Sequence, residues 1–292
     1  MTDVPSPLVF VEPPPAPETF NVLLYGPPGA GKTSAAATAP GPLLWVNAEG
    51  PGALGFARKV AADRGTQISE VRLDLQTPDP RNVLRQVIEH VRAGADPKPA
   101  SVVVDTVGKV RELLANQLVE QGSKSSMRQW GEVAKALGGF VRVMRDEPVN
   151  LILIAHESIE DADGDRIVRP QIGGALSEGI PADVDVVAYC AAHRSAEGVQ
   201  YLGQLVEDRG RRAKDRSGGL GVVQPLDLSG WLATYRLALS TGVPWEAPEP
   251  EAEPAKAKAT ARRSKAKPGP EPDEHGHMPL PDPPRDFEGV TF

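Results

Sequence analysis

A glycine-rich segment of the sequence has the residue types and spacing of a phosphate-binding loop. From Gly26 to Thr33 it reads GPPGAGKT, which satisfies the pattern G-x-x-x-x-G-K-[ST] between an apolar run and a helical segment. The glycines let the backbone curl so that its N–H groups point at phosphate oxygens, and the prolines fix φ on the other side of the loop. Lys32 would place its charge on the β- and γ-phosphates, and the Thr33 hydroxyl would bind Mg²⁺. The predicted nucleotide-binding residues are Gly26, Pro27, Pro28, Gly29, Ala30, Gly31, Lys32, Thr33 and Ser34.

A carboxylate after another apolar run is expected to complete the metal site. Residues 101–106 read SVVVDT, in which three β-branched residues precede Asp105. Open α/β sheets bind ligands at the carboxyl edge of their strands, where this aspartate would lie. We therefore predict that Asp105 and Thr33 hold Mg²⁺, with Thr106 in the outer coordination sphere. ATP and Mg²⁺ are the expected ligands.

Hydrolysis also needs a group that orients or deprotonates the attacking water. In AAA+ proteins an acidic residue directly follows the metal aspartate, whereas this sequence has Thr106 there. Glu49 ends the second predicted strand, and we expect it next to the phosphate loop in a parallel sheet. In Asn47-Ala48-Glu49-Gly50 the chain resembles the RecA/DnaB-type ATPases, and the resemblance implies that Glu49 activates the water. An exposed loop glutamate is the alternative.

The apolar run at 150–156 ends in His156. RecA-like proteins carry a polar residue here, commonly glutamine, that senses the γ-phosphate, so the resemblance implies a sensor role for His156. Histidine departs from the family pattern, because its charge varies with pH. The alternative is a surface residue at the end of a strand.

Two cations late in the sequence resemble another element of this family. Lys214-Asp-Arg216-Ser-Gly is similar to the K-x-R-x-G element of DnaB-type helicases. The resemblance implies that Lys214 and Arg216 reach the ATP site of a neighbouring subunit and make the ATPase a property of the oligomer. Alternation along a strand would put both cations on one face. The alternative is a solvated basic turn.

Two segments at the expected carboxyl edge of the sheet carry cations among small residues, which suits contacts with a phosphate backbone. Asp163-Gly164 in the second segment predicts a hairpin turn. Neither segment contains the aromatic residues that stack on bases, so we expect backbone-directed, salt-sensitive binding of single-stranded DNA. The cations are Lys124 and Arg128 in residues 121–128, and Arg166 and Arg169 in residues 158–174.

Alternating apolar and amphipathic segments predict the elements that position these residues. Continuously apolar strands separated by helices indicate a mainly parallel α/β sheet with helices on both faces, and the last two strands indicate an antiparallel edge. The predicted strands are 21–26, 42–49, 70–75, 101–106, 150–156, 184–194 and 199–207. The predicted helices are 32–38, 51–64, 80–94, 108–121, 129–145 and 229–240.

Composition sets the limits of the folded part. The chain has 292 residues, a formal net charge of −7 and one cysteine, Cys190, so disulfide stapling is excluded and Cys190 is expected as a small buried strand residue. No apolar run approaches the roughly 20 residues that cross a bilayer, so no membrane association is expected. We predict a proline-rich arm at 1–19, an ATPase core at 20–242 and a disordered tail of prolines and charges at 243–292.

In order along the chain, GPPGAGKT, AEG, VVVDT, the helix with Trp130, IAH and AKDRSGG resemble the RecA-core ATPases of bacteriophages. These include the phage single-strand annealing proteins built from a RecA core alone. The resemblance implies a RecA-like P-loop NTPase that forms rings or filaments, binds single-stranded DNA and promotes annealing in recombination, in the cytoplasm of an infected bacterium. Its tail would contact a single-strand-binding protein or another replication partner. The alternatives are a ring-shaped helicase or translocase, and a DNA-binding scaffold that uses ATP as a structural switch.

Overall fold

The computed structural model describes residues 18–242 apart from 119–125, 163–164, 197 and 209. The arm up to residue 17, the tail from 243 and the turn at 163–164 lie outside the described residues. Among the described helices, none is long and apolar enough to cross a membrane.

The described residues form ten strands and seven helices. The strands are β1 (Asn21–Gly26), β2 (Leu43–Asn47), β3 (Ile68–Arg72), β4 (Ser101–Asp105), β5 (Asn150–Ala162), β6 (Asp165–Pro170), β7 (Val186–Ser195), β8 (Gly198–Gln204), β9 (Lys214–Asp215) and β10 (Val223–Pro225). The helices are α1 (Lys32–Ala36), α2 (Gly55–Asp63), α3 (Pro80–Ala93), α4 (Val107–Leu118), α5 (Ser126–Arg145), α6 (Leu176–Asp183) and α7 (Leu228–Thr241).

One sheet carries the predicted parallel core and its antiparallel edge. Its strand order is β10-β8-β7-β1-β5-β4-β2-β3, and all neighbours from β7 to β3 are parallel. Strands β8 and β10 continue the sheet in antiparallel pairing. The mainly parallel α/β class with an antiparallel edge is therefore confirmed. The parallel order places the ends of β1, β5, β4 and β2 along one edge.

Helices cover both faces of this sheet because successive strand residues point to opposite sides. In β1, Leu23 and Tyr25 belong to the apolar core beneath α3, α4, α5 and α6. Val22 and Leu24 belong to the core beneath α1, α2 and α7. Every residue of β1 is buried, which explains why the strand is continuously apolar up to Gly26.

Five elements, β5, β6, α6, β9 and β10, differ from the sequence prediction. Strand β5 does not end at His156, because its second half pairs antiparallel with β6, from Glu157↔Pro170 to Ala162↔Asp165. Helix α6 was not predicted, since it is eight residues long and contains Pro181. Strands β9 and β10 are two and three residues long, too short to produce a periodic pattern.

Candidate functional site

The glycine-rich loop lies between the end of β1 and the start of α1, as its spacing predicts. Gly26 has φ 146°, and a Cβ there would lie 2.3 Å from the carbonyl oxygen of Cys190 on β7. Gly31 has φ 82°, and a Cβ there would lie 2.8 Å from the ring of Tyr201 on β8. Both positions therefore require glycine, because the loop turns in the left-handed region and packs closely on two strands.

Lys32 is buried beneath this loop. Its ammonium donates to the carbonyl oxygens of Gly26 at 2.8 Å and Pro27 at 2.7 Å. Burial lowers the pKa of Lys32, and the carboxylates of Asp105 and Glu49 act in the opposite direction. The side chain is thus held within the curve of the loop, where an anionic phosphate would receive its charge.

Thr33 and Asp105 meet as the sequence predicts. The Thr33 hydroxyl donates to Asp105 Oδ2 at 3.1 Å, across the space between α1 and the end of β4. Burial raises the pKa of Asp105 to about 6, the bond from Thr33 lowers it, and the charge of Glu49 raises it. A buried carboxylate beside a hydroxyl fits Mg²⁺, which binds hard oxygen ligands and whose positive charge would favour the ionised carboxylate.

Glu49 reaches the same place although its strand does not neighbour β1. Two strands, β5 and β4, separate β2 from β1 in the sheet. The segment after β2 is tied to the end of β4 by a bond from the Ala48 N–H to the Asp105 carbonyl oxygen at 2.7 Å. The Glu49 N–H also donates to Asn47 Oδ1 at 2.9 Å. These two bonds turn Glu49 toward the metal aspartate.

The side chain of Glu49 is oriented by two polar residues. Thr106 donates its hydroxyl proton to Glu49 Oε1 at 2.7 Å, and His156 Nε2 lies 3.6 Å from the same oxygen. His156 lies where β5 passes from parallel pairing with β1 to antiparallel pairing with β6. The structure therefore brings Glu49, Thr106 and His156 together, with His156 inside a long strand and not at its end.

These residues line one cavity of about 710 Å³, a volume in the range of small-molecule sites. Residues 28–34, Glu49, Asp105, Thr106 and His156 form its polar part. Its apolar part contains the exposed aromatic rings of Phe56 on α2 and Tyr201 on β8, beside Ala53, Val60 and Leu226. Sequence reasoning missed Phe56 and Tyr201, because neither belongs to a motif and only the fold places them beside the loop.

Lys214 and Arg216 both face α6 of their own subunit. The Lys214 ammonium donates to the carbonyl oxygens of Pro181 at 2.7 Å and Ala182 at 3.2 Å. Arg216 donates to the Ala182 carbonyl oxygen at 2.8 Å and to Asp185 Oδ1 at 3.2 Å. Burial, and then the charge of Arg216, lower the pKa of Lys214 to about 8. The side chains of Lys214 and Arg216 point to the same side of the backbone, as alternation predicts, and both contact the C-terminal end of α6.

The cations that the sequence predicts as DNA contacts differ in their surroundings. Arg128 is exposed in the first turn of α5, and Arg166 is exposed on β6. Arg169 forms an ion pair with Glu178 of α6 at 3.1 Å. Lys124 lies outside the described residues. The structure therefore shows two predicted cations at the surface and a third already paired with a carboxylate.

Cys190 is completely buried on β7. Burial raises the pKa of its thiol to about 12, so the reactive thiolate is absent at neutral pH. This placement agrees with the small buried strand residue that the sequence predicts.

Comparison with known proteins finds similarity to a protein family and to solved structures. The model of the AAA_24 family, described as an AAA domain, matches residues 18–217. The crystal structure of a KaiC-like protein from the hyperthermophilic archaeon Pyrococcus horikoshii OT3 is similar over 63% of this chain and 77% of that chain, with 19% sequence identity and a TM-score of 0.39. A search of curated proteins found no match.

Proposed function

Because the chain belongs to the AAA_24 family of AAA domains, we propose that it binds ATP with Mg²⁺, hydrolyses it in an oligomer, and uses the cycle on single-stranded DNA. The observation that carries the ATPase part is the convergence of Lys32, Thr33, Asp105 and Glu49 on one cavity. The DNA part is supported by the exposed cations Arg128 and Arg166, and both the DNA and oligomer parts are supported by the sequence resemblance.

Each polar residue of the cavity has a task in phosphoryl transfer. Lys32 would exchange its two loop carbonyl partners for the β- and γ-phosphates. Thr33 and Asp105 would hold Mg²⁺, which supplies positive charge to the phosphate oxygens when bound. Phe56 and Tyr201 offer apolar surface for the nucleobase in the same cavity.

Glu49 is the base that the geometry favours. Its carboxylate keeps one hydrogen bond, from Thr106, which fixes its direction. It lies on the same side of the cavity as Asp105, so it can accept a proton from a water placed near the γ-phosphate. His156 beside it would hydrogen-bond the γ-phosphate, so that the position of β5 would depend on whether the phosphate is bound.

The purified full chain tests the ATPase part by phosphate release from ATP. We expect hydrolysis that requires Mg²⁺ and increases on addition of single-stranded oligonucleotide. Absence of both nucleotide binding and phosphate release would refute the proposed function. Hydrolysis that DNA leaves unchanged would refute the DNA part alone.

The trans role of Arg216 predicts recovery of activity on mixing two inactive variants. Glu49→Gln lacks the base and Arg216→Ala lacks the cation, but a site formed by Glu49 of one subunit and Arg216 of the next is intact. Random mixing in equal amounts would restore about a quarter of the sites. The measurement is ATPase rate in the mixture against each variant alone. No recovery on mixing would show that Arg216 acts only within its own subunit, where it binds Asp185 and α6.

The annealing, motor and scaffold functions differ in whether they require the binding and hydrolysis of ATP. We propose annealing of complementary strands in phage recombination, and its assay compares ATP, no nucleotide, and the Glu49→Gln variant. Annealing that depends on ATP supports the proposal. Unwinding or directional movement would instead indicate a helicase or translocase. Annealing that is identical in all three arms would indicate a scaffold in which hydrolysis has no part.

A further inference from the structure

Arg111 of α4 joins the two segments that the sequence marks as DNA contacts. Its guanidinium carbon lies 4.4 Å from the centroid of the Trp130 ring, near the start of α5. The same guanidinium packs on Gly173, which follows β6 and has φ 89°. A Cβ on Gly173 would lie 2.9 Å from its central carbon. The stretch around α5 and the stretch after β6 therefore meet at one arginine.

The surface around this arginine is apolar and positively charged, and we call it the Trp130 surface: Arg111, Met127, Arg128 and Trp130. Trp130 is 40% exposed and Met127 is 86% exposed, so neither belongs to a core. Arg128 is exposed in the same first turn of α5. Lys109 and Glu112, the neighbouring charged residues of α4, pair with each other at 3.0 Å. This combination of an open indole and two arginines differs from an ordinary charged helix face.

We propose that Trp130 stacks on a base of single-stranded DNA while Arg111 and Arg128 contact the adjacent phosphates. The proposal rests on the DNA part of the proposed function and names the residues that perform it. An aromatic ring stacks on any base, and arginines beside it provide both cation–π contact and phosphate pairing, which is the usual chemistry of single-strand binding. Arg111 already lies on the indole and so orients the ring.

This inference changes the expectation drawn from the sequence. Neither predicted DNA segment contains an aromatic residue, which predicted binding through the phosphate backbone alone. Trp130 lies two residues beyond the first segment, and Arg111 is distant from it in sequence. The packing of α4 against α5 is what adds Arg111 to this stacking residue.

The test compares two oligomers of equal length and charge, oligothymidylate and an abasic oligomer that has no bases. Binding is measured by fluorescence anisotropy at one fixed salt concentration. We expect the wild-type chain to bind oligothymidylate about tenfold more tightly than the abasic oligomer, and Trp130→Ala to lose that preference. Trp130→Phe should keep most of the affinity, because phenylalanine also stacks. Oligothymidylate should quench tryptophan emission in the wild type and not in Trp130→Phe.

Leu237→Ala is the matched control, because Leu237 is also an exposed apolar residue, with 62% exposure, and it lies on α7, far from this surface in sequence. This variant should bind both DNA probes as tightly as the wild type does. Unchanged ATP binding in Trp130→Ala shows that the variant is folded. Wild-type binding that is equal for both oligomers, or unchanged by Trp130→Ala, overturns this inference and leaves the proposed function standing. Wild-type binding to neither oligonucleotide overturns both this inference and the DNA part of the proposed function. If Trp130→Ala changes the mass of the protein oligomer but not its affinity for DNA, the Trp130 surface forms contacts between subunits, and the inference is again overturned.

Discussion

Glu49→Gln is expected to lower the ATPase rate constant by about 10²–10⁴-fold, the range for loss of a general base. Glutamine has nearly the same shape and can still accept the hydrogen bond from Thr106, but it cannot take a proton from water. Affinity for Mg²⁺ and ATP should remain within about threefold of the wild-type value, because the interaction lost belongs to the transition state. Single-turnover hydrolysis and equilibrium nucleotide binding measure the two quantities separately.

Two comparators make this result specific. Glu89→Gln changes an exposed glutamate of α3 and should leave the rate unchanged. Lys32→Ala should lose nucleotide binding itself, since it removes the cation from the loop. A rate within tenfold of wild type in Glu49→Gln would assign the base to another residue, and His156, at 3.6 Å from Glu49, is the next to test.

Asp105→Asn is expected to abolish hydrolysis and at the same time stabilise the nucleotide-free protein. Burial raises the pKa of Asp105 to about 6 from an ordinary 3.8, so the folded state holds a proton that the unfolded chain releases between those two values. Stability therefore falls as the pH rises from about 4 to about 6, and the ionised carboxylate costs about 3 kcal/mol at neutral pH. An amide removes that cost. The free energy of unfolding at pH 7.5 should rise by about 1–3 kcal/mol, with a gain in Tm of about 2–4 °C per kcal/mol.

The pH dependence and the metal separate this effect from general repacking. Below about pH 4 the gain should vanish, since Asp105 is then protonated in both states. Mg²⁺ with ATP should raise the Tm of the wild type and leave Asp105→Asn nearly unchanged, because the variant lacks the charge that holds the metal. The ATPase rate of the variant should fall at least about 100-fold. Asp63→Asn, at an exposed position of α2, serves as the matched control. Asp105→Asn that is less stable than wild type at pH 7.5 would contradict the argument.

The buried parallel strands and the phosphate loop were predictable because each has a local signature. Strand β1 is apolar at every position that it buries, and the loop requires glycine where φ is positive or where another strand lies too close for a side chain. Asp105 followed from the same logic, as the first polar residue after a buried strand. Each of these features can therefore be identified from the sequence of its own segment, without knowledge of the rest of the fold.

The remaining features depend on contacts between distant segments. Glu49 meets Thr106 and His156 across 57 residues and more, because the strand order brings the ends of β2, β4 and β5 to one edge of the sheet. Helix α6 contains Pro181 and Gly179, which oppose helix formation, and it forms because Leu176 and Ile180 are buried in the core. Phe56 and Tyr201 approach the loop only after α2 and β8 have packed. Tertiary structure decided each of these positions.

Strand β5 runs without interruption from Asn150 to Ala162, and its two halves have different roles. Its buried half supports the cavity, and its outer half forms a two-stranded ribbon with β6 that ends about 20 Å beyond His156 at 3.3 Å per residue. His156, at the base of this ribbon, lines the cavity in which we propose that the nucleotide binds. If phosphate binding tilted the strand at His156 by a few degrees, Ala162 would move by about 1 Å or more, so nucleotide binding would change the position of the far end of β5.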